Sequence, residues 1–136
     1  MDLIRRDTDY AFRFAAQLAE SYGQDRPLSA RVLAKENQVS YDLTCKIMQK
    51  LAAAGIVDSI MGPKGGFVLA KPPEKIEFGQ LIEAIQGPVS VNKCVLGGFK
   101  CPLKGKCPAH SKMADLQTQI NGYLKELTLQ EFVSGE

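Results

Sequence analysis

Apolar residues recur every three or four positions through the first half of the chain. In "DTDYAFRFAAQLAESYG", Ala11, Phe14, Ala15, Leu18, Ala19 and Tyr22 share one side of a helical repeat. This spacing predicts a helix capped by Asp7 or Thr8 and ended at Gly23. "PLSARVLAKEN" predicts a short second helix ending near Asn37. Ser29 is placed to cap it. Leu28 and Leu33 are placed to staple its first turn. "QVSYDLTCKIMQKLAAAG" predicts a third helix from Ser40 to Gly55. Leu43, Ile47, Leu51 and Ala54 form its inner stripe, with Tyr41, Asp42, Cys45 and Gln49 on the opposite face. Only Gln38 and Val39 separate helices two and three, a gap that fits the tight turn of a helix-turn-helix.

The periodicity then changes. Residues 56–61 and 67–70 read as two strands, joined by Gly62-Pro63-Lys64-Gly65-Gly66. Proline presets one turn dihedral and glycine permits positive φ, so the segment predicts a hairpin with a broad tip. A hairpin directly after a helix-turn-helix is the winged-helix arrangement, closed here by Pro72 and Pro73. "IEFGQLIEAIQG" predicts a fourth helix with Phe78, Leu81, Ile82 and Ile85 inward and Gly87 as its stop. Near the end, "SKMADLQTQINGYLKELTLQEF" reads as one long helix. Its Met113, Leu116, Ile120, Tyr123 and Leu127 have heptad spacing, a narrow seam suited to another helix. A two-fold copy of the chain is the simplest source of that helix, and packing within its own domain is the alternative. The fold class is therefore mainly α with a small β-hairpin wing.

Composition adds little to this pattern. The 136 residues are 45% hydrophobic and 24% charged, as in an ordinary globular chain. No internal repeat or low-complexity tract is present. No apolar run approaches the ~20 residues of a membrane span. The start of the chain carries charges and no signal-peptide core, so it reads as cytoplasmic. The formal charge of +2 argues for no partner by itself. Its distribution is more telling. "VNKCVLGGFKCPLKGKCPAHSK", residues 91–112, holds five lysines and no acid, which leaves −3 for the remainder.

The same stretch holds three of the four cysteines and the sole histidine, spaced C-x6-C-x5-C-x2-H. Cys94, Cys101, Cys107 and His110 supply three thiolates and an imidazole. That is enough to close a tetrahedral zinc site or to hold an iron–sulfur cluster. Prolines and glycines let the loop curl, and the lysines offset thiolate charge. Spacing alone does not choose among zinc, copper(I) and iron–sulfur. Incidental clustering and a regulatory disulfide are the bland alternatives. Cytosolic thiols stay reduced, which weighs against the second of these. Cys45 stands apart, on the outer face of helix three. It reads as a surface or groove-facing residue. The chain lacks a thioredoxin-like C-x-x-C. "GPKGG" lacks the helix and spacing of a phosphate loop. No Ser-His-Asp set stands out, so an enzyme is not expected.

A winged helix, a further helix, a three-cysteine loop and a seam helix, in that order, resemble the IscR/NsrR-like transcription regulators (the Rrf-two family). The likeness runs from "TDYAFRFAAQLA" through the wing "GPKGGFVLAKPP" to the cysteine loop and "LTLQEF". It implies a bacterial homodimer that binds pseudo-palindromic duplex DNA, with an iron–sulfur cluster whose state sets affinity. It implies a winged-helix unit at residues 1–75. Residues 76–136 would carry the cluster loop (about 91–110) and the dimerisation helices. By this resemblance Cys94, Cys101 and Cys107 are the cluster thiolates. His110 occupies the place of the fourth ligand in the cluster-biogenesis regulators. Asp9 matches the carboxylate that nitric-oxide-sensing members lend from the other subunit. Imidazole has precedent in 2Fe–2S centres, which favours His110 and 2Fe–2S over 4Fe–4S.

Helix three would then enter the major groove by its first turns. Ser40, Tyr41, Asp42, Cys45 and Gln49 are the expected readers. Gln49 has the chemistry for adenine and Asp42 for cytosine. Lys46, Lys50, Lys64 and Arg5 or Arg6 are the expected phosphate contacts, each with a merely solvated charge as its alternative. Two positions depart from the family. Met61 stands where arginine is common in the wing, and Cys45 where the biogenesis regulators have an acid. The operator therefore need not be the family's. A zinc-stabilised or cluster-free repressor is the alternative function, and a thiol redox protein a more distant one.

Overall fold

Two serines set the geometry of the first half. Each lies in extended backbone just ahead of a helix, and its hydroxyl accepts from the amide three residues on. Val32 donates to Ser29 and Leu43 to Ser40, both at 3.2 Å. In the computed structural model, which describes residues 3–92, 95, 102–103 and 105–133, these caps open α2 (Ala30–Asn37) and α3 (Tyr41–Ala53). α1 (Arg6–Glu20) precedes them. It begins slightly earlier than expected. Arg5 holds the cap position without a side-chain cap bond, and Asp7 lies in the first turn, where a carboxylate suits the helix's positive end. Tyr22 lies beyond the helix and is exposed.

The turn between α2 and α3 is made by a strained residue. Gln38 closes α2 in the left-handed region, at φ 57° and ψ 44°. The amides of Gln38 and Val39 return to the carbonyls of Lys35 and Ala34 at 3.3 and 3.0 Å, which satisfies orphan acceptors at the helix end. Val39 is thereby turned into the core. A side chain at Gln38 opposes this conformation. Gln38→Gly should therefore raise stability by about 0.5–1 kcal/mol, after the glycine's own entropy is subtracted. Thermal unfolding should show a rise of a few degrees.

The inner stripe of α3 is rotated from its expected position. Thr44, Ile47, Met48 and Leu51 are buried, whereas Leu43 is half-buried and Ala54 exposed. α3 packs on α1, α2 and α4 together, so its inner face is wider than one neighbour would require. Thr44 tolerates full burial because its hydroxyl donates to the Ser40 carbonyl at 2.9 Å.

The wing follows as β1 (Val57–Ile60), one residue shorter than expected at each end, and β2 (Gly66–Leu69), shifted one residue toward the tip. They pair antiparallel, with Val57 opposite Leu69 and Ile60 opposite Gly66. Leu28, just before α2, adds a third pairing on β2. Its amide donates to the Phe67 carbonyl at 3.0 Å and its carbonyl accepts from Phe67 at 2.8 Å. The wing is thus anchored to the start of the helix-turn-helix.

A 3-10 turn (Pro73–Lys75) leads to α4 (Phe78–Gln86), where the Gln80 side chain accepts from the Glu77 amide at 2.9 Å. α5 (His110–Glu126) comes after the cysteine loop. The long final helix that heptad spacing predicts is broken. Leu127 is extended, Thr128 pairs with Glu77, and a separate α6 (Leu129–Val133) turns back onto α1. Two features drive the break. The Thr128 amide donates to the Glu131 carboxylate at 2.7 Å. Phe132 meets Phe78 edge-on at 4.9 Å and stacks with Phe12 at 6.3 Å. One buried cluster joins Phe14, Leu18, Leu33, Met48, Leu51, Ile76, Leu81 and Leu129. α5 contributes no buried residue to it.

Candidate nucleic-acid interface and cysteine loop

The outer face of α3 carries the residues expected to meet DNA. Tyr41, Asp42, Lys46, Gln49 and Lys50 are exposed. Ser40 is exposed too, but its hydroxyl oxygen caps the helix by accepting from Leu43. Cys45 is half-buried rather than fully outward. A basic residue missing from the sequence expectation belongs to this face. Arg31, exposed in the first turn of α2, holds its guanidinium carbon 4.6 Å from the centre of the Tyr41 ring. Its sequence signal was modest: a cation two residues after the Ser29 cap, on the helix packed beside α3. The neighbouring Cys45 thiol, one turn on, pushes the Tyr41 phenol above its ordinary range, with Arg31 pulling the other way.

Lys64 is exposed at the wing tip, beside Met61, whose side chain is 90% exposed. Arg5 is differently placed. Its guanidinium donates to Asp7 at 3.2 Å and to the Ile85 carbonyl at 3.3 Å, and its amide donates to Gln86. Arg6 is exposed. Gln86 also accepts from the buried Thr8 hydroxyl at 2.7 Å and donates to the Leu3 carbonyl at 2.9 Å. This network pins the chain's start to the end of α4. Asp9, the alternative metal ligand, pairs with Arg13 at 2.9 Å on the outside of α1.

Cys94 and Cys101 lie outside the described residues. Cys107 and His110 do not, and both are half-buried. The His110 amide donates to the Cys107 carbonyl at 3.4 Å, so they share the turn that opens α5. The loop's other end is also tied to α5. Gln117 donates to the Val89 carbonyl at 2.7 Å and accepts from the Val91 amide at 2.9 Å. Among the described residues no group of three metal-ligating side chains comes together. The described pair fits a soft metal or cluster by its chemistry, one thiol and one imidazole on a single helical turn.

A capped helix-turn-helix braced by a two-stranded wing defines a winged-helix DNA-binding regulator. Residues 4–135 match the Rrf2 family, described as "Iron-dependent Transcriptional regulator", and the chain belongs to that family. A helix-turn-helix-type transcriptional regulator of Aquifex aeolicus is 32% identical over 129 residues, covering 93% of this chain and 88% of its own length. The regulator IscR of Escherichia coli is 28% identical over 110 residues, covering 81% and 67%. Among solved structures, CymR, the global cysteine regulator of B. subtilis, superposes with a TM-score of 0.80 at 27% identity, covering 100% of this chain and 99% of its own. The T. potens IscR fold matches at a TM-score of 0.74 and 22% identity, covering 96% and 85%. These relatives are transcription regulators and not enzymes, and so is this chain. No helix among the described residues is long and apolar enough to cross a membrane.

Proposed function

We propose that this regulator acts in the cytoplasm as a homodimer whose grip on operator DNA is set by an iron–sulfur cluster. Cys94, Cys101 and Cys107 would hold the cluster by their thiolates, and His110 would be the fourth ligand. Asp9 is the less favoured alternative, since it already pairs with Arg13. When bound, the cluster supplies iron that responds to oxidation, nitric oxide or iron–sulfur supply, and the 2Fe–2S form suits an imidazole ligand best.

The observation that carries the reading is the double attachment of the cysteine loop to α5. Gln117 holds its entry at Val89 and Val91, and Cys107 and His110 sit where it becomes the helix. Whatever orders the loop must therefore act on α5. The same helix exposes Leu116 (47%) and Tyr123 (63%) and buries neither Met113 nor Ile120 fully. Those residues form the seam on which a second copy would pack. Loop order would then set the spacing of the two recognition helices, and half-site spacing is a geometric requirement. On this reading Ser40, Asp42, Cys45 and Gln49 approach bases, while Lys46, Lys50 and Lys64 hold phosphates.

The test is direct. Protein purified without oxygen should be coloured and contain iron and sulfide. Cys101→Ala should abolish the visible absorption, whereas Cys45→Ala should leave it intact. Colour surviving in Cys101→Ala would overturn the ligand set. A second reading has its own support: CymR, a global cysteine regulator, matches along the full chain. A cluster-free repressor would bind DNA while colourless and free of iron after reconstitution. Zinc without sulfide would instead indicate a structural metal.

A further inference from the structure

Arg31 belongs to neither the core nor any ion pair among the described residues. It lies in the first turn of α2, and its guanidinium covers Tyr41, the first residue of α3. The contact joins the first turns of two helices, each the positive end of its helix. A cation is repelled there unless an anion joins it, and Asp42 is the carboxylate in the first turn of α3. Stacking on an aromatic face leaves a guanidinium's edge donors free, since the contact uses only its flat face. The ring in turn has one face occupied by the guanidinium. Tyr41 is therefore poorly placed to stack on or read a base.

We propose that Arg31, held over the Tyr41 ring, is a phosphate clamp at the edge of the recognition helix, and that Tyr41 is a positioning residue for Arg31 rather than a base reader. The inference deepens the DNA-binding reading and rests on it. In a helix-turn-helix the first helix crosses the backbone while the second enters the groove. Arg31 comes from the former and is braced by the latter. The clamp therefore couples phosphate contact to the orientation of α3. Base reading passes to Asp42, Cys45 and Gln49, within little more than two turns along the same exposed helix.

The full-length protein is titrated against a duplex that the wild type selects from a randomised pool, at several salt concentrations. Arg31→Gln should lower affinity about tenfold and reduce the salt slope by about 0.9, the value of one phosphate. Tyr41→Phe keeps the ring and should stay within about twofold of wild type, while Tyr41→Ala should lose several-fold. Adding Tyr41→Ala to Arg31→Gln should cost nothing further, because the ring acts only through the arginine. Both residues are exposed, so the variants should melt with the wild type. An unchanged slope in Arg31→Gln overturns the clamp. Equal losses from Tyr41→Phe and Tyr41→Ala, or additive losses in the double variant, overturn the positioning role. A wild type that selects no duplex instead defeats the DNA-binding reading itself.

Discussion

Ile120→Glu should convert the proposed dimer to monomers and weaken operator binding by about a hundredfold or more. Sedimentation and anisotropy titrations would read the two effects. The reasoning begins with what α5 does not do: it contributes no buried residue to the described core. Its attachments within the chain lie along Gln117 and Leu124, the former to the loop and the latter beside Gly79 of α4. Met113, Leu116, Ile120 and Tyr123 form a different stripe, and Ile120 is central in it. Ile120 is only half-buried in the single chain, so a carboxylate there costs the isolated fold less than it costs a paired seam. In a paired seam it would meet its symmetry mate, two like charges taken out of water. Loss of the pair converts one two-site binding event into two weak ones, which is the source of the hundredfold. A variant that remains dimeric would show that the copies meet elsewhere. A monomer with undiminished affinity would show that two half-sites are not used.

The elements legible in the sequence were those with local causes. Ser29 and Ser40 announced α2 and α3 because a cap acts within four residues. Gly87 ended α4 for a similar reason, taking a positive φ of 87°. The reading of the final helix failed where distant contacts decide. Leu127 continues the heptad spacing, yet the chain turns there to pair Thr128 with Glu77 and to bring Phe132 onto Phe12 and Phe78. The capping pattern "TLQE" was a local sign of that break, outweighed by the longer apolar repeat. Arg31 escaped notice because its meaning lies ten residues away in sequence, on the ring of Tyr41. Of the cysteine site, the spacing of Cys107 and His110 already implied a shared turn. Convergence with Cys94 and Cys101 depends on how the loop curls, which spacing does not determine.

Gly66→Ala should destabilise the protein by about 3 kcal/mol and loosen the wing, lowering Tm by ~10 °C. Two separate costs make up this figure. Gly66 has φ 153°, a conformation that a side chain strains. A Cβ there would also lie 2.5 Å from the carbonyl carbon and oxygen of Leu28, and backbone cannot swing aside as a side-chain tip can. Relief requires β2 to move away from Leu28, which breaks the two hydrogen bonds between Leu28 and Phe67. Gly62 separates the two terms. Its φ of 108° is also strained, but nothing lies within 4 Å of a Cβ built there. Gly62→Ala should therefore cost only about 1 kcal/mol, the dihedral part alone. If both variants melt together, contact with Leu28 is not what holds the wing. If Gly66→Ala falls much further, as expected, it should also lose DNA affinity and part of the salt slope. That pairing ties the wing that carries Lys64 to the start of α2, alongside the buried Val57 and Leu69 at its base, so a methyl group at Gly66 should be felt at the tip.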